Sequence, residues 1–144
     1  MLDIRVSRID TSLPLPSYQT AGAVAFDLSP RVDATIAPGA VVYVPVNLII
    51  EVPLGYALFI AARSSLHKKG LVLANQLGVI DQDYCGPNDE IGLALRNITD
   101  TPVQVERGQR LAQAFFAPVE RAEWTEVARE HIATATRGGW GSTG

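Results

Sequence analysis

The chain has 144 residues, 47% hydrophobic and 19% charged, which supplies one domain with a real core and is too short for two comfortable ones. Its formal net charge of −3 excludes broad electrostatic affinity for nucleic acid, so an anionic ligand must be met by local positive charge. The single cysteine, Cys85, excludes an intrachain disulfide and a multi-cysteine metal site; His67 and His131 lack a second histidine or carboxylate at ligand spacing.

With only four Phe, four Tyr and two Trp, the core must be mostly aliphatic. The N-terminus carries no apolar signal core. The longest apolar stretch, Ala40 to Ile50, is interrupted by Pro45 and Asn47 and falls short of the roughly twenty residues a membrane span needs. A soluble cytoplasmic protein without membrane or nucleic-acid partners is expected. In that compartment the sequon Asn97-Ile98-Thr99 reads as coincidence.

Taken in chain order, apolar residues alternate or cluster in short Val/Ile/Leu runs separated by Gly, Pro, Asn and Asp. Strands are expected near Asp3–Ile9, Ala25–Leu28, Val41–Ile50, Tyr56–Ala62, Leu71–Leu73, Gly78–Ile80, Ile91–Asn97, Val103–Val105 and Leu111–Pro118. Turn signals divide them at Pro38-Gly39, Pro53-Leu54-Gly55, Gly86-Pro87-Asn88-Asp89, Thr99-Asp100-Thr101-Pro102 and Arg107-Gly108. Short helical turns are expected at Ser64–Lys69 and near Arg121–Arg129. Many short strands at this spacing predict a sandwich, jelly roll or barrel. The last seven residues hold four glycines and a Trp, so they are either disordered or folded over something else.

Three segments carry candidate chemistry. In Ala62-Arg63-Ser64-Ser65-Leu66-His67-Lys68-Lys69-Gly70, a strand runs into two hydroxyls beside an arginine, a combination suited to an anion. The competing reading is an ordinary helix cap followed by a solvated basic turn. In Gly78-Val79-Ile80-Asp81-Gln82-Asp83-Tyr84, an apolar strand ends in a carboxylate able to act as a general base toward water, with a flat ring for a sugar or base. A simple turn, with both Asp side chains satisfying local backbone donors, is the alternative. In Gly108-Gln109-Arg110-Leu111-Ala112-Gln113, the amide of Gln113 interrupts an apolar run and needs a partner or a water, unless it merely faces solvent at an edge.

Together and in this order, these segments resemble the five motifs of the trimeric deoxyuridine triphosphatase (dUTPase) family, from about Ala21 to Gly144. Ala21–Leu28 is similar to the first motif and Ala62–Gly70 to the second. Gly78-Val79-Ile80-Asp81-x-Asp83-Tyr84-x-Gly86 matches the third, Gly108–Gln113 the fourth, and Gly138-Gly139-Trp140-Gly141-Ser142-Thr143-Gly144 the fifth. The resemblance implies an all-β, distorted jelly-roll or β-barrel of the β-clip type with one short helix. Residues 1–134 would form the β domain and 135–144 a flexible glycine-rich C-terminal lid.

It further implies hydrolysis of dUTP to dUMP and pyrophosphate, which keeps uracil out of DNA and supplies dUMP. Asp81 would orient and deprotonate the water attacking the α-phosphorus, with Gln113 holding that water. Arg63, Ser64 and Ser65 would grip the triphosphate, Ser64 at the α–β bridging oxygen. Tyr84 would lie under the deoxyribose and exclude a 2′-hydroxyl, while Asn75 and the backbone of Gly78 and Val79 would read uracil. Asp27 would support the triphosphate–metal region. Mg²⁺ would ride on the phosphates through water, with no metal held directly by protein ligands. Trp140 would stack on uracil, Ser142 and Thr143 would cap the γ-phosphate, and Arg137 is the one arginine near the paired glycines. The arm would come from a neighbouring subunit of a homotrimer with shared sites.

The first motif departs from the usual pattern in carrying Val24-Ala25-Phe26, and Pro87-Asn88 lengthen the hairpin of the third. Ala135 stands where the fifth motif usually has its arginine. Two rival functions bear on the same fold. A dCTP deaminase would need a glutamate where this chain has Ala94, in Leu93-Ala94-Leu95-Arg96-Asn97. A nucleotide-sensing module that binds without turnover would have no use for the Asp81 and Gln113 pair. The central expectation is that Asp81 faces the Arg63, Ser64 and Gln113 cradle across one cavity.

Overall fold

Among the described residues, the period-two runs become eleven short strands whose pairings are all antiparallel. The computed structural model describes residues 1–132 and 138–139. The strands are β1 (Val6–Arg8), β2 (Phe26–Leu28), β3 (Ala34–Ile36), β4 (Val41–Pro45), β5 (Leu48–Ile50) and β6 (Tyr56–Ala62), then a 3₁₀ turn (Leu66–Lys69). β7 (Leu71–Leu73), β8 (Gly78–Ile80), β9 (Gly92–Asn97), β10 (Val103–Val105) and β11 (Ala112–Pro118) follow. They form four small sheets: β1-β5, β3-β10, β4-β9-β7 and β2-β11-β6-β8. Partners distant in sequence, such as β2 with β11, wrap these sheets around one aliphatic core that includes Leu28, Ile36, Leu58, Ile91, Leu93, Leu95 and Leu111.

Three expectations change. The run Val41–Ile50 is two strands, because Pro45 offers no N–H to a continuing ladder and Asn47 adopts a left-handed φ of 72°. Asn47 is buried there, its amide exchanging hydrogen bonds with the backbone of Asp10 (2.6 and 2.9 Å). The three-residue β3, opposite β10, is too short to carry a readable alternation and was not expected. No helix forms over residues 121–128, which are exposed throughout; only a 3₁₀ turn at Arg129–His131 follows. With every side chain solvated, that segment has no apolar stripe to pack and so no tertiary support for a helix.

Asn97 is fully buried at the end of β9. Its amide donates to the carbonyls of Ile36 (2.9 Å) and Thr101 (2.7 Å) and accepts from the backbone and hydroxyl of Thr99 (both 2.8 Å). The sequon is therefore a structural plug that satisfies a turn in the interior. Among the described residues, no helix is long and apolar enough to cross a membrane.

Candidate active site

Register on the sheet β2-β11-β6-β8 decides where the candidate residues lie. Directly opposite residues in antiparallel strands share a face. Gln113 of β11 lies between Asp27 of β2 and Ala61 of β6, and Phe59 of β6 lies between Phe115 and Val79. Leu28, Ala112, Leu58, Ile60 and Gly78 turn inward on the other face and are buried. One outer face thus carries Asp27 and Gln113 at one end and the stacked rings of Phe59 and Phe115 in the middle, centroids 5.6 Å apart. Continuing β8 by one residue puts Asp81 at the other end, across from Ala57.

At the first end, Asp27 binds two guanidinium groups. Its Oδ1 accepts from Arg63 (2.5 Å) and its Oδ2 from Arg110 (3.3 Å). Asp27 is mostly buried, with its side chain 16% exposed, whereas Arg110 is half exposed. One carboxylate between two arginines leaves a net positive charge at a solvent-facing rim, which suits a polyanion. Gln113 donates from Nε2 to the carbonyl of Ala62 (3.1 Å), which fixes the amide beside this cluster with its carbonyl oxygen still able to accept. Ser65 stands at the cap position of the 3₁₀ turn but makes no side-chain capping bond, and Ser64 is exposed. Ser65 thus caps the turn by position, ahead of exposed His67, Lys68 and Lys69, but its hydroxyl is not spent on capping. Arg110 is the site residue that sequence reasoning missed, although its place three residues before Gln113 was in view.

At the other end, Asp81 is exposed and lines an open cavity of about 470 Å³ with Tyr56, Gln82, Asp83 and Arg121. The hairpin's backbone is satisfied by a different carboxylate: Asp89 accepts the N–H of Gly86 at 2.7 Å. Asn75 is exposed in the turn before β8, accepting the N–H of Leu77 on its carbonyl (2.6 Å). Gly78 packs so close to Ile60 that a Cβ there would stand 3.0 Å from the Ile60 Cβ. β8 is an edge strand, with β6 on one side only and Val79 exposed. Tyr84 is at the surface, its hydroxyl donating to the carbonyl of Glu90 (3.3 Å). Burial pushes the Tyr84 hydroxyl's pKa up, with Tyr43 and Asp89 nearby adding to the shift.

The cavity that Asp81 lines holds none of Arg63, Ser64 and Gln113, so the described residues of one chain do not bring the expected cradle to it. From Ala57, opposite Asp81, to Arg63 the strand direction of β6 runs six residues, about 20 Å at 3.4 Å per residue. Asp81 and Tyr84 follow β8 at one end, and Arg63, Ser64, Ser65, Gln113 and Asp27 lie toward the other; Gly78 and Val79 stand between them opposite Ile60 and Phe59, with Asn75 in the turn before β8. Arg137, Trp140, Ser142 and Thr143 lie outside the described residues. Among the described residues no three His, Cys, Asp or Glu side chains cluster as metal ligands, and Asp27 is already engaged by two arginines. A divalent ion brought in on phosphates, with Asp27 behind its water shell, fits these groups better than one held by protein alone. Ala94, where a deaminase would need its glutamate, pairs with Tyr43 on β9.

A family model for dUTPase matches residues 11–144. A deoxyuridine 5'-triphosphate nucleotidohydrolase of Shewanella baltica is 41% identical over 99% of this chain and 95% of its own length. One from Brucella melitensis is 41% identical over 92% and 85%. Among solved structures, a dUTPase from Streptococcus mutans superposes with a TM-score of 0.75 at 36% identity, covering 83% of this chain and 98% of that one. The Staphylococcus bacteriophage 80alpha dUTPase with dUPNHPP reaches a TM-score of 0.86 over 100% of this chain and 99% of that one; at 20% identity it shows the fold alone. A nearly all-β chain that matches its relatives from end to end, with paired arginines and a strand-end carboxylate on one sheet face, belongs to the dUTPase family.

Proposed function

We propose that this chain is a Mg²⁺-dependent dUTP diphosphatase, releasing dUMP and pyrophosphate from sites shared between the subunits of a homotrimer. The observation that carries the reading is the division of the outer sheet face. A phosphate-binding end (Arg63, Arg110, Asp27, Gln113) and a nucleoside-binding end (Asp81, Tyr84, β8) sit too far apart to meet in one chain. Between them lie the half-buried rings of Phe59 and Phe115 and exposed Val79, an apolar strip that another copy can cover. Packing copies on this face is the way to bring one chain's Asp81 to another chain's arginines.

In the assembled site, Arg63 and Ser65 grip the triphosphate and Ser64 donates toward the α–β bridging oxygen as charge develops there. Asp81 orients a water toward the α-phosphorus and takes its proton, and the Gln113 carbonyl accepts the water's other hydrogen. The free edge of β8 at Gly78 and Val79 offers backbone donors and acceptors in alternation, complementary to the acceptor–donor–acceptor edge of uracil, with Asn75 alongside. Tyr84 lies flat under the deoxyribose. Arg137, Trp140, Ser142 and Thr143, on the arm 135–144, close over the nucleotide bound to domain 1–134. Bound Mg²⁺ supplies charge neutralisation on the phosphates, and Asp27 keeps the two arginines in place beside it. A cytoplasmic location fits the one unpaired cysteine.

The test is pyrophosphate release by the intact protein with Mg²⁺ from dUTP, UTP, dTTP and dCTP. Release from dUTP, with little from the others, is expected, and Asp81→Asn should abolish release while nucleotide still binds. Ammonia from dCTP would reassign the chain to deamination, and binding without turnover would make it a sensor.

A further inference from the structure

The long hairpin that carries Tyr84 is tied to the body by the Gln82 amide, which donates to the carbonyl of Tyr56 (3.1 Å), and on its returning arm by Glu90. Its carboxylate accepts Nε and Nη2 of Arg31 (2.8 and 2.9 Å) and the backbone N–H of Asn47 (2.8 Å), while its backbone carbonyl accepts the Tyr84 hydroxyl (3.3 Å). Arg31 is itself fixed by its N–H to the carbonyl of Pro45 (2.8 Å), and Asn47 is locked by its exchange with Asp10. The next residue, Ile91, is fully buried and bonds both ways to the β4–β5 junction, to Leu48 and from Val46 (both 2.9 Å). Tyr43 of β4 is a near neighbour of Tyr84. The Tyr43 ring lies against Gly92, where any Cβ would overlap it.

We propose that Glu90, clamped by Arg31, is a positioning residue that holds the Tyr84 ring in place and thereby sets how strictly the site refuses a 2′-hydroxyl. The proposal rests on the reading of Tyr84 as the surface beneath the deoxyribose. Steric exclusion of one oxygen atom works only if the excluding ring cannot yield by about an ångström. A ring on a solvent-exposed hairpin would yield unless tethered. Here its hydroxyl donates to a fixed group, the Glu90 carbonyl on the hairpin's returning arm. The bidentate fork of Arg31 fixes Glu90 in position and orientation, which a lysine could not do.

The experiment measures kcat/KM for dUTP and UTP on the assembled enzyme with Mg²⁺, for wild type, Tyr84→Ala, Glu90→Gln, Arg31→Lys and Arg31→Lys in the Tyr84→Ala background. Tyr84→Ala should lower the dUTP-to-UTP ratio by roughly tenfold or more. Arg31→Lys keeps the cation and loses the fork. It should lower the ratio about threefold, through faster UTP turnover with kcat for dUTP within about twofold, and add nothing once Tyr84 is gone. Glu90→Gln should shift the ratio the same way. A merely structural role would slow both substrates alike and leave the ratio alone. If Tyr84→Ala collapses the ratio and the other single variants keep it at the wild-type value, the positioning proposal is wrong and the sugar role of Tyr84 survives. If Tyr84→Ala itself keeps the ratio, the role of Tyr84 falls and the proposal with it. Arg31→Lys keeps the positive charge beside Glu90, so the comparison stands even if Glu90→Gln fails to fold.

Discussion

Mixing two inactive variants decides whether the two ends of the sheet face belong to one site. Asp81→Asn keeps the shape of the strand-end side chain and removes the base; Arg63→Ala removes one guanidinium of the cradle. Each alone should cost on the order of 10²–10⁴ in turnover. When equal amounts are co-assembled, a site takes Asp81 from one copy and the cradle from another. It is whole only when the first donor is the Arg63→Ala chain and the second is the Asp81→Asn chain, each with even odds. Roughly a quarter of the sites should therefore be intact, and activity should return to about a quarter of wild type. The assay is pyrophosphate release from dUTP, with native mass spectrometry establishing that mixed assemblies have formed. Mixed assemblies no faster than the parent variants would refute the division, since a site built within one chain keeps its lesion in every combination.

Three further outcomes follow from particular contacts. Asp27→Ala leaves Arg63 and Arg110 without the carboxylate between them, so they repel; KM for dUTP should rise roughly tenfold, and an unchanged KM would separate Asp27 from the cradle. Hydrogen bonds from Arg31 and the Asn47 backbone hold the Glu90 carboxyl below its ordinary value. A depressed folded-state pKa adds stability above the unfolded value and loses it as pH falls through the folded one; Glu90→Gln should therefore flatten the acid limb of the stability–pH curve, and an unaltered limb would contradict the clamp. Asn97→Ala removes a buried amide that bonds the Ile36 and Thr101 carbonyls and the Thr99 N–H, at a cost of about 2–4 kcal/mol, read as a fall in Tm of roughly 5–15 °C at fixed protein concentration.

The strands were legible wherever the apolar run was bounded by turn residues: Tyr56–Ala62, Leu71–Leu73, Gly78–Ile80 and Val103–Val105 fall at the expected limits. What was not legible depends on tertiary partners. β3 exists because β10 comes alongside it, and Asn47 breaks a strand because Asp10, distant in sequence, receives its amide. The same holds for the site. Motif order pointed to Asp81, Arg63, Ser64 and Gln113, but sequence order says nothing of which strand ends share an end of the sheet, and register alone separates them. Arg110 went unassigned because its partner, Asp27, meets it only through the β2–β11 pairing. Glu90 meets Tyr84 through its backbone carbonyl, and no local pattern marks that.

The most direct measurement of the central claim is the fate of solvent oxygen when the intact enzyme turns over dUTP in ¹⁸O-labelled water. Attack on the α-phosphorus by the water that Asp81 activates should place one label in the phosphate of dUMP and none in pyrophosphate. Label in the pyrophosphate, or the same labelled dUMP formed at wild-type rate by Asp81→Asn, would contradict it.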